Sequence, residues 1–219
     1  MSIPKVIHYC WFGGGKKNEL IERCIASWRT HCPDWEIIEW NESNFDPEFC
    51  PYTKKAYRNR KFAYVTDAAR LDIIYRYGGV YLDTDVELYM SLDQLMEHRA
   101  WFCYMESGNA DGTRHTEVNT GSGFGAEKGL PLVRMLLDQY LSFDENQPYQ
   151  TCNRLDTEVF RREWPGYIYD KCVRQEHDGM VIVDDIWRYS HHHCENSCLP
   201  WYKQAKNKIM AIIRKIHIR

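Results

Sequence analysis

Apolar and polar positions along the chain fall into two alternating rhythms. Val6 to Phe12 is a short, mostly apolar run that stops at Gly13-Gly14-Gly15, as a strand passing into a loop would. From Asn18 the period changes: Ile21, Cys24, Ile25 and Trp28 recur at helical spacing behind a capping residue, and Pro33 lies just beyond. Trp35 to Trp40 then reads as a second strand, completing a βαβ start. A longer helix is predicted over Lys61 to Tyr77, with Val65, Ala69 and Ile73 on one stripe and Gly78-Gly79 at its end. Val80 to Tyr89 alternates as a strand with one buried face would. Beyond it, Ala100 to Met105 predicts a strand, Ser107 to Thr120 a polar loop, Leu130 to Leu141 a helix and Met180 to Val183 the last strand. Strands separated by helices predict an α/β sheet.

Period-two geometry gives the 80–89 run its chemical interest. Tyr81, Asp83, Asp85 and Glu87 share one face of such a strand, and Val80, Leu82 and Val86 the other. Two neighbouring carboxylates in a partly buried place repel each other, and a divalent cation removes the penalty. Oxygen ligands suit Mn²⁺ or Mg²⁺, which keep open positions for phosphate oxygens. Such a site serves reactions in which a nucleoside diphosphate departs. Asp-x-Asp alone also fits the solvated face of an edge strand.

Composition narrows the setting. With 219 residues, 44% of them hydrophobic, the chain can bury one sizeable core. A formal charge of −3 gives no basic field for a nucleic-acid partner. Nine cysteines without framework spacing suit reduced thiols in a cytoplasm. No secretory h-region opens the chain and no apolar run approaches the ~20 residues of a bilayer span, so a soluble or surface-attached protein is expected. Lys203 to Arg219 carries six Lys and Arg, no acid, and Ile209, Ile212, Ile213 and Ile216 at helical spacing. This basic amphipathic helix could lie peripherally on an anionic inner leaflet or dock on the body. The expected organisation is one domain over 1–202 and this helix over 203–219.

The run from Arg70 through Gly78-Gly79-Val80-Tyr81-Leu82-Asp83-Thr84-Asp85-Val86 resembles the signature of glycosyltransferase family 32, which contains many bacterial capsule and surface-polysaccharide enzymes. Ile3 to Gly13, Cys24 to Trp28 with Pro33 to Glu36, and Asn119 to Lys128 are similar to further family blocks. Tyr189 to Ser197 resembles the closing motif, with Cys198 where the family usually has Trp. The resemblance implies a GT-A fold, Rossmann-like, with a mixed, mostly parallel sheet flanked by helices. It implies a retaining transfer of a hexose from a UDP-sugar or GDP-mannose to a glycan or lipid-linked glycan acceptor, dependent on Mn²⁺ or Mg²⁺.

The same resemblance implies roles. His8, Trp11 and Phe12 would meet base and ribose, and Asp67 and Arg70 the donor sugar and diphosphate. Tyr81 would neighbour the sugar, and Ser197 would bind donor. Asp83 would contact sugar or ribose and reach the metal through water; Asp85 and His192 would ligate it. Asp83, Asp85 and Arg70 form the expected catalytic set. Glu127 and Asp156 are candidate acceptor-side carboxylates. Three other readings compete: a zinc module using His191-His192-His193-Cys194 with Cys198, a phosphohydrolase with Asp83 as nucleophile and Asp85 as acid, and a non-catalytic sugar-nucleotide binder.

Overall fold

A computed structural model of the chain describes residues 3–108 and 114–194, with backbone alone for 106–108 and 114. The opening unit forms as the periodicity predicts: β1 (Val6–Cys10), α1 (Glu19–His31) and β2 (Glu36–Trp40), the two strands pairing in parallel from Val6↔Glu36 to Cys10↔Trp40. The Asn18 side chain accepts from the Ile21 amide at 3.0 Å, satisfying one of the helix's unpaired donors.

Next come α2 (Pro51–Arg58), α3 (Phe62–Tyr77) and β3 (Gly79–Tyr81). Gly78 and Gly79 make the reversal between α3 and β3 with φ of 71° and 102°. A Cβ would sit 2.8 Å from the Lys128 amide at the first and from the Val6 carbonyl at the second, so no other residue fits here. The chain continues through β4 (Val86–Leu88), β5 (Ala100–Gly108), β6 (Arg114–Val118), β7 (Phe124–Ala126), α4 (Pro131–Leu141), α5 (Cys152–Glu163), β8 (Gln175–His177), β9 (Met180–Val183) and β10 (Ser190–His192).

The main sheet has the order β2-β1-β3-β7-β5-β9-β8, with β6 paired to β5. Strands β1, β2, β3, β5 and β9 run one way; β7, antiparallel to both its neighbours, splits them into two groups. Side chains alternate between two cores. Ala100, Phe102, Met180 and Ile182 pack against α2–α5, while Trp101, Cys103, Val181 and Val183 face the other layer with Ile21, Ile25 and Trp28 of α1. This is the mixed, helix-flanked α/β sheet expected.

Three expectations are corrected. The Val80–Tyr89 strand is two strands, because residues 83–85 turn and β4 pairs with β10 rather than with the main sheet. The loop expected over 107–120 gives way, at its described residues, to strand: β6 pairs antiparallel with β5, burying Thr116 and Val118. Met180–Val183 is not the last strand, since β10 follows it. Helices α2 and α5 and strands β7 and β8 were not predicted.

Candidate active site

The site lies beyond the C-terminal ends of β1 and β3, where open α/β sheets form crevices. The Leu82 amide donates to His8 O at 3.1 Å and prolongs the β3 ladder by one residue. The chain then leaves the sheet: the Asp83 amide donates to Gly121 O at 3.4 Å, and the Val86 amide closes a turn on Asp83 O at 3.0 Å. Strand β10 pairs His192 with Val86, and the His193 amide donates to Asp85 O at 3.0 Å. Asp83, Asp85 and His192 consequently each offer a ligand atom, all within 4.8 Å of one another. The two aspartates therefore converge through a turn, not along a common strand face.

This donor set fits a divalent cation. Two carboxylate oxygens and one imidazole nitrogen suit Mn²⁺ or Mg²⁺ with positions left for phosphate oxygens. The protein's own charges reveal the same demand. Burial would lower the His192 imidazole, but its hydrogen bond to Asp85 (Nε2 to Oδ1 3.1 Å), a further one with Cys194, and the Asp85 and Asp83 charges raise it to about 10. A proton there supplies positive charge between the carboxylates, and a cation would replace it. His192 Nδ1 lies 3.0 Å from Ser122 Oγ, which fixes the ring.

Beside this cluster, Arg70 of α3 is only 3% exposed. Its Nη2 donates to Asp67 Oδ1 at 2.5 Å and lies 3.6 Å from Asp83 Oδ1, and the guanidinium stands 5.2 Å from the Tyr81 ring centre. Tyr81 in turn donates its hydroxyl to Asp83 Oδ1 at 3.1 Å. Asp67 with Arg70 is thus a buried pair, not a solvated helix pair. Burial, opposed by Arg70, pushes the Asp67 carboxyl up to about 6; burial also raises Asp83, against the pull of Arg70 and His192. Arg70 Nη1 is buried with no hydrogen-bond partner in the protein. An unpaired guanidinium donor is costly, and an oxygen of a bound anion or sugar would satisfy it.

The segment 119–122 lies in a block similar to the family's, and the sequence alone assigns it no role. Asn119 Oδ1 accepts from the Gly121 and Ser122 amides at 2.9 and 3.3 Å, and Asn119 Nδ2 donates to Ser122 Oγ at 2.6 Å. The turn carries Gly121 against the site: a Cβ there would stand 2.7 Å from both Arg70 Nη1 and Asp83 Oδ2. Gly121→Ala is expected to displace these groups, weakening nucleotide-sugar binding at least about tenfold for ~1–3 kcal/mol of overpacking. Calorimetric titration beside urea unfolding checks it, and unchanged affinity would dissociate the turn from the site.

The other predicted residues divide. Trp11 is partly exposed; its indole N–H donates to Gly15 O at 2.7 Å, and Lys17 Nζ lies 5.2 Å from its ring centre. Phe12 is corrected: it is core, packed on Phe45 at 6.0 Å between ring centres. His8 is corrected too. It is 2% exposed, Nε2–H donates to Gly78 O at 3.0 Å, Nδ1 accepts from Trp40 Nε1 at 3.1 Å, and burial lowers it to about 4, so both nitrogens of a neutral ring are spent on the fold. Glu127 forms an ion pair with Arg99 at 2.6 Å, and Asp156 is fully buried on α5. Ser197, Cys198 and the predicted helix 203–219 lie outside the described residues. Among the described residues, the one group of three metal-capable side chains is Asp83, Asp85 and His192, and Cys194 is not part of it.

Comparison with known proteins agrees with this geometry. Residues 18–101, which include Asp83-Thr84-Asp85, match the model of the glycosyltransferase sugar-binding region containing the DXD motif. Inositol phosphoceramide mannosyltransferase 3 of Schizosaccharomyces pombe is 26% identical over 203 residues, covering 87% of this chain and 53% of that protein. Inositol phosphoceramide mannosyltransferase 1 of the same yeast is 36% identical over 43% of this chain and 32% of its own length. The chain spans about half the length of the first relative and a third of the second. Among solved structures, PaToxG glycosyltransferase shares the fold with a TM-score of 0.58 at 18% identity, over 75% of this chain and 71% of that one. Over residues 18–101 the chain is thus similar to glycosyltransferases that carry the DXD sugar-binding region, over most of its length it resembles a yeast mannosyltransferase, and it shares its fold with a glycosyltransferase of known structure.

Proposed function

We propose that the protein is a metal-dependent hexosyltransferase that moves a sugar from a nucleoside diphosphate to an acceptor hydroxyl with retention of anomeric configuration. The observation that carries this reading is the Asp83, Asp85 and His192 cluster standing beside the unpaired Nη1 of Arg70. Asp85 and His192 would hold Mn²⁺ or Mg²⁺ directly, and Asp83 through water. When bound, the cation neutralises charge on the departing diphosphate.

The chain's own groups do the rest by orientation and electrostatics. Asp67 fixes the guanidinium plane of Arg70, so that Nη1 is presented to a donor oxygen. Tyr81 occupies Asp83 Oδ1 and leaves Oδ2 turned toward Gly121, open to a sugar or ribose hydroxyl. The acceptor hydroxyl enters from the face the diphosphate leaves. Its oxygen forms the new bond to the anomeric carbon, that carbon's bond to the diphosphate breaks, and the diphosphate oxygen takes the proton. No protein nucleophile is required.

The names of the yeast relatives favour mannose as the sugar and a glycolipid as the acceptor. GDP-mannose is therefore the first donor to test, UDP-hexoses the second, and lipid-linked or surface-polysaccharide glycans the acceptor class. The expected result is Mn²⁺-stimulated release of GDP from GDP-mannose, or UDP from a UDP-hexose, abolished by EDTA. Absence of release from every nucleotide sugar would reduce the chain to a binding protein. Turnover insensitive to EDTA would remove the cation from the mechanism.

A further inference from the structure

Asp156 has no place in the chemistry above, yet it is a carboxyl with 0% exposure on α5. Its Oδ2 accepts from Thr120 Oγ1 at 2.8 Å and from the Thr120 amide at 3.4 Å, while Oδ1 is buried without a partner. The next residue, Thr157, accepts from the Val118 amide at 2.9 Å through its hydroxyl. Helix α5 therefore grips the chain at 118 and at 120, immediately before the turn that meets the site. A buried acid with half its acceptor capacity empty is costly, and Val159 and Phe160 already supply the helix's apolar burial. Its retention points to what it holds in place.

What it holds is the Asn119–Ser122 turn, and that turn touches two of the three metal-capable side chains' residues. Gly121 O accepts from the Asp83 amide, and Ser122 Oγ contacts His192 Nδ1. The same turn sets the clearance beside Arg70 Nη1, since there is no room for a Cβ at Gly121. We propose that Asp156 is a positioning residue: through Thr120 it fixes the Asn119–Ser122 turn and so sets the separation of Asp83 and His192 about the cation. The proposal rests on the cation site of the preceding section and adds to it a control point on α5. Shared partners of this kind behave as one unit when mutated, so their losses do not add.

The test is direct Mn²⁺ binding to the full chain by calorimetry, without nucleotide, beside thermal unfolding of each variant. Thr120→Val keeps the side-chain shape and deletes the hydroxyl donor; Asp156→Ala deletes the acceptor. Each is expected to weaken Mn²⁺ binding at least about tenfold, the range seen when outer-shell partners of metal ligands are lost. The double variant should be no weaker than the worse single one. Thr120→Ser and Asp156→Asn, which retain a donor and an acceptor, should bind within about threefold of the native chain.

If folded Thr120→Val binds Mn²⁺ as the native chain does and only its unfolding temperature falls, Asp156 is a structural anchor and the proposal is overturned. Should Asp156→Ala fail to fold, Thr120→Val decides alone. A native chain that binds no Mn²⁺ defeats the cation site itself, whereas native binding with an indifferent Thr120→Val defeats only the positioning role.

Discussion

Asp85→Ala is expected to abolish metal-dependent turnover of nucleotide sugar while leaving the fold intact. The residue supplies one carboxylate of the three-donor cluster and is the partner that keeps His192 in place at 3.1 Å. Its loss would remove one of the three donor groups and leave the imidazole held only by Ser122 and Cys194, so the developing charge on the diphosphate would go unmet. Losing a preorganised electrostatic partner costs on the order of 10²–10³ in rate, and losing the cation as well exceeds that. Stability should hardly change, because the Asp85 carbonyl, not its side chain, accepts from the His193 amide and ties β10 to β4. Donor hydrolysis with Mn²⁺ and a thermal melt of the same sample measure both halves. Native turnover in the variant would take Asp85 out of the site.

Arg70→Met should be the most destabilising change in the site, by ~3–5 kcal/mol at pH 8, because it leaves the buried Asp67 carboxylate without its counter-charge. The effect has a definite pH sign. Asp67 already titrates at about 6 in the fold, above its ordinary 3.8, because burial outweighs Arg70. The favourable contribution of the neutral acid is therefore fully present below about pH 4 and lost as pH rises through about 6. Without Arg70 that carboxyl moves higher still, and Asp83, raised in the same sense, follows. The difference from the native protein should shrink markedly from pH 8 to pH 5, where the carboxyls can bury uncharged. Urea unfolding at the two pH values tests this. A penalty independent of pH would mean that lost packing, not uncompensated charge, sets the cost.

Together these variants separate two tasks carried by neighbouring groups. His192 lies on a small two-stranded ribbon outside the main sheet and Asp85 in the turn that leads into it, and their side chains contribute little to the core. Asp67, Arg70 and Tyr81 lie on α3 and β3 inside the principal core, where binding chemistry and folding stability draw on the same ion pairs. Damage to the first group is expected to appear in activity alone, and damage to the second in both activity and stability.

The sequence by itself determined the local elements and the chemical identity of the centre. The β1-α1-β2 unit, α3 and the glycine reversal into β3 were legible because helical or alternating burial and a positive φ are properties of consecutive residues. The nomination of Asp67, Arg70, Tyr81, Asp83, Asp85 and His192 as one group drew on motif resemblance as well. Local pattern also misled. Alternation continues through Val86 and Leu88 although the chain turns at 83–85, because a second buried strand begins there, paired with residues a hundred positions away. His8 and Phe12, read as ligand contacts, are claimed by Trp40, Gly78 and Phe45.

Only the tertiary structure decided which segments meet. Asp156 reaches Thr120 across 36 residues, and Ser122 reaches His192 across 70. Periodicity records which side of a chain is buried and is silent on what buries it. The grip of α5 on the 119–122 turn, and of that turn on the two-aspartate bend, arises when distant backbone and side-chain groups must satisfy one another away from water.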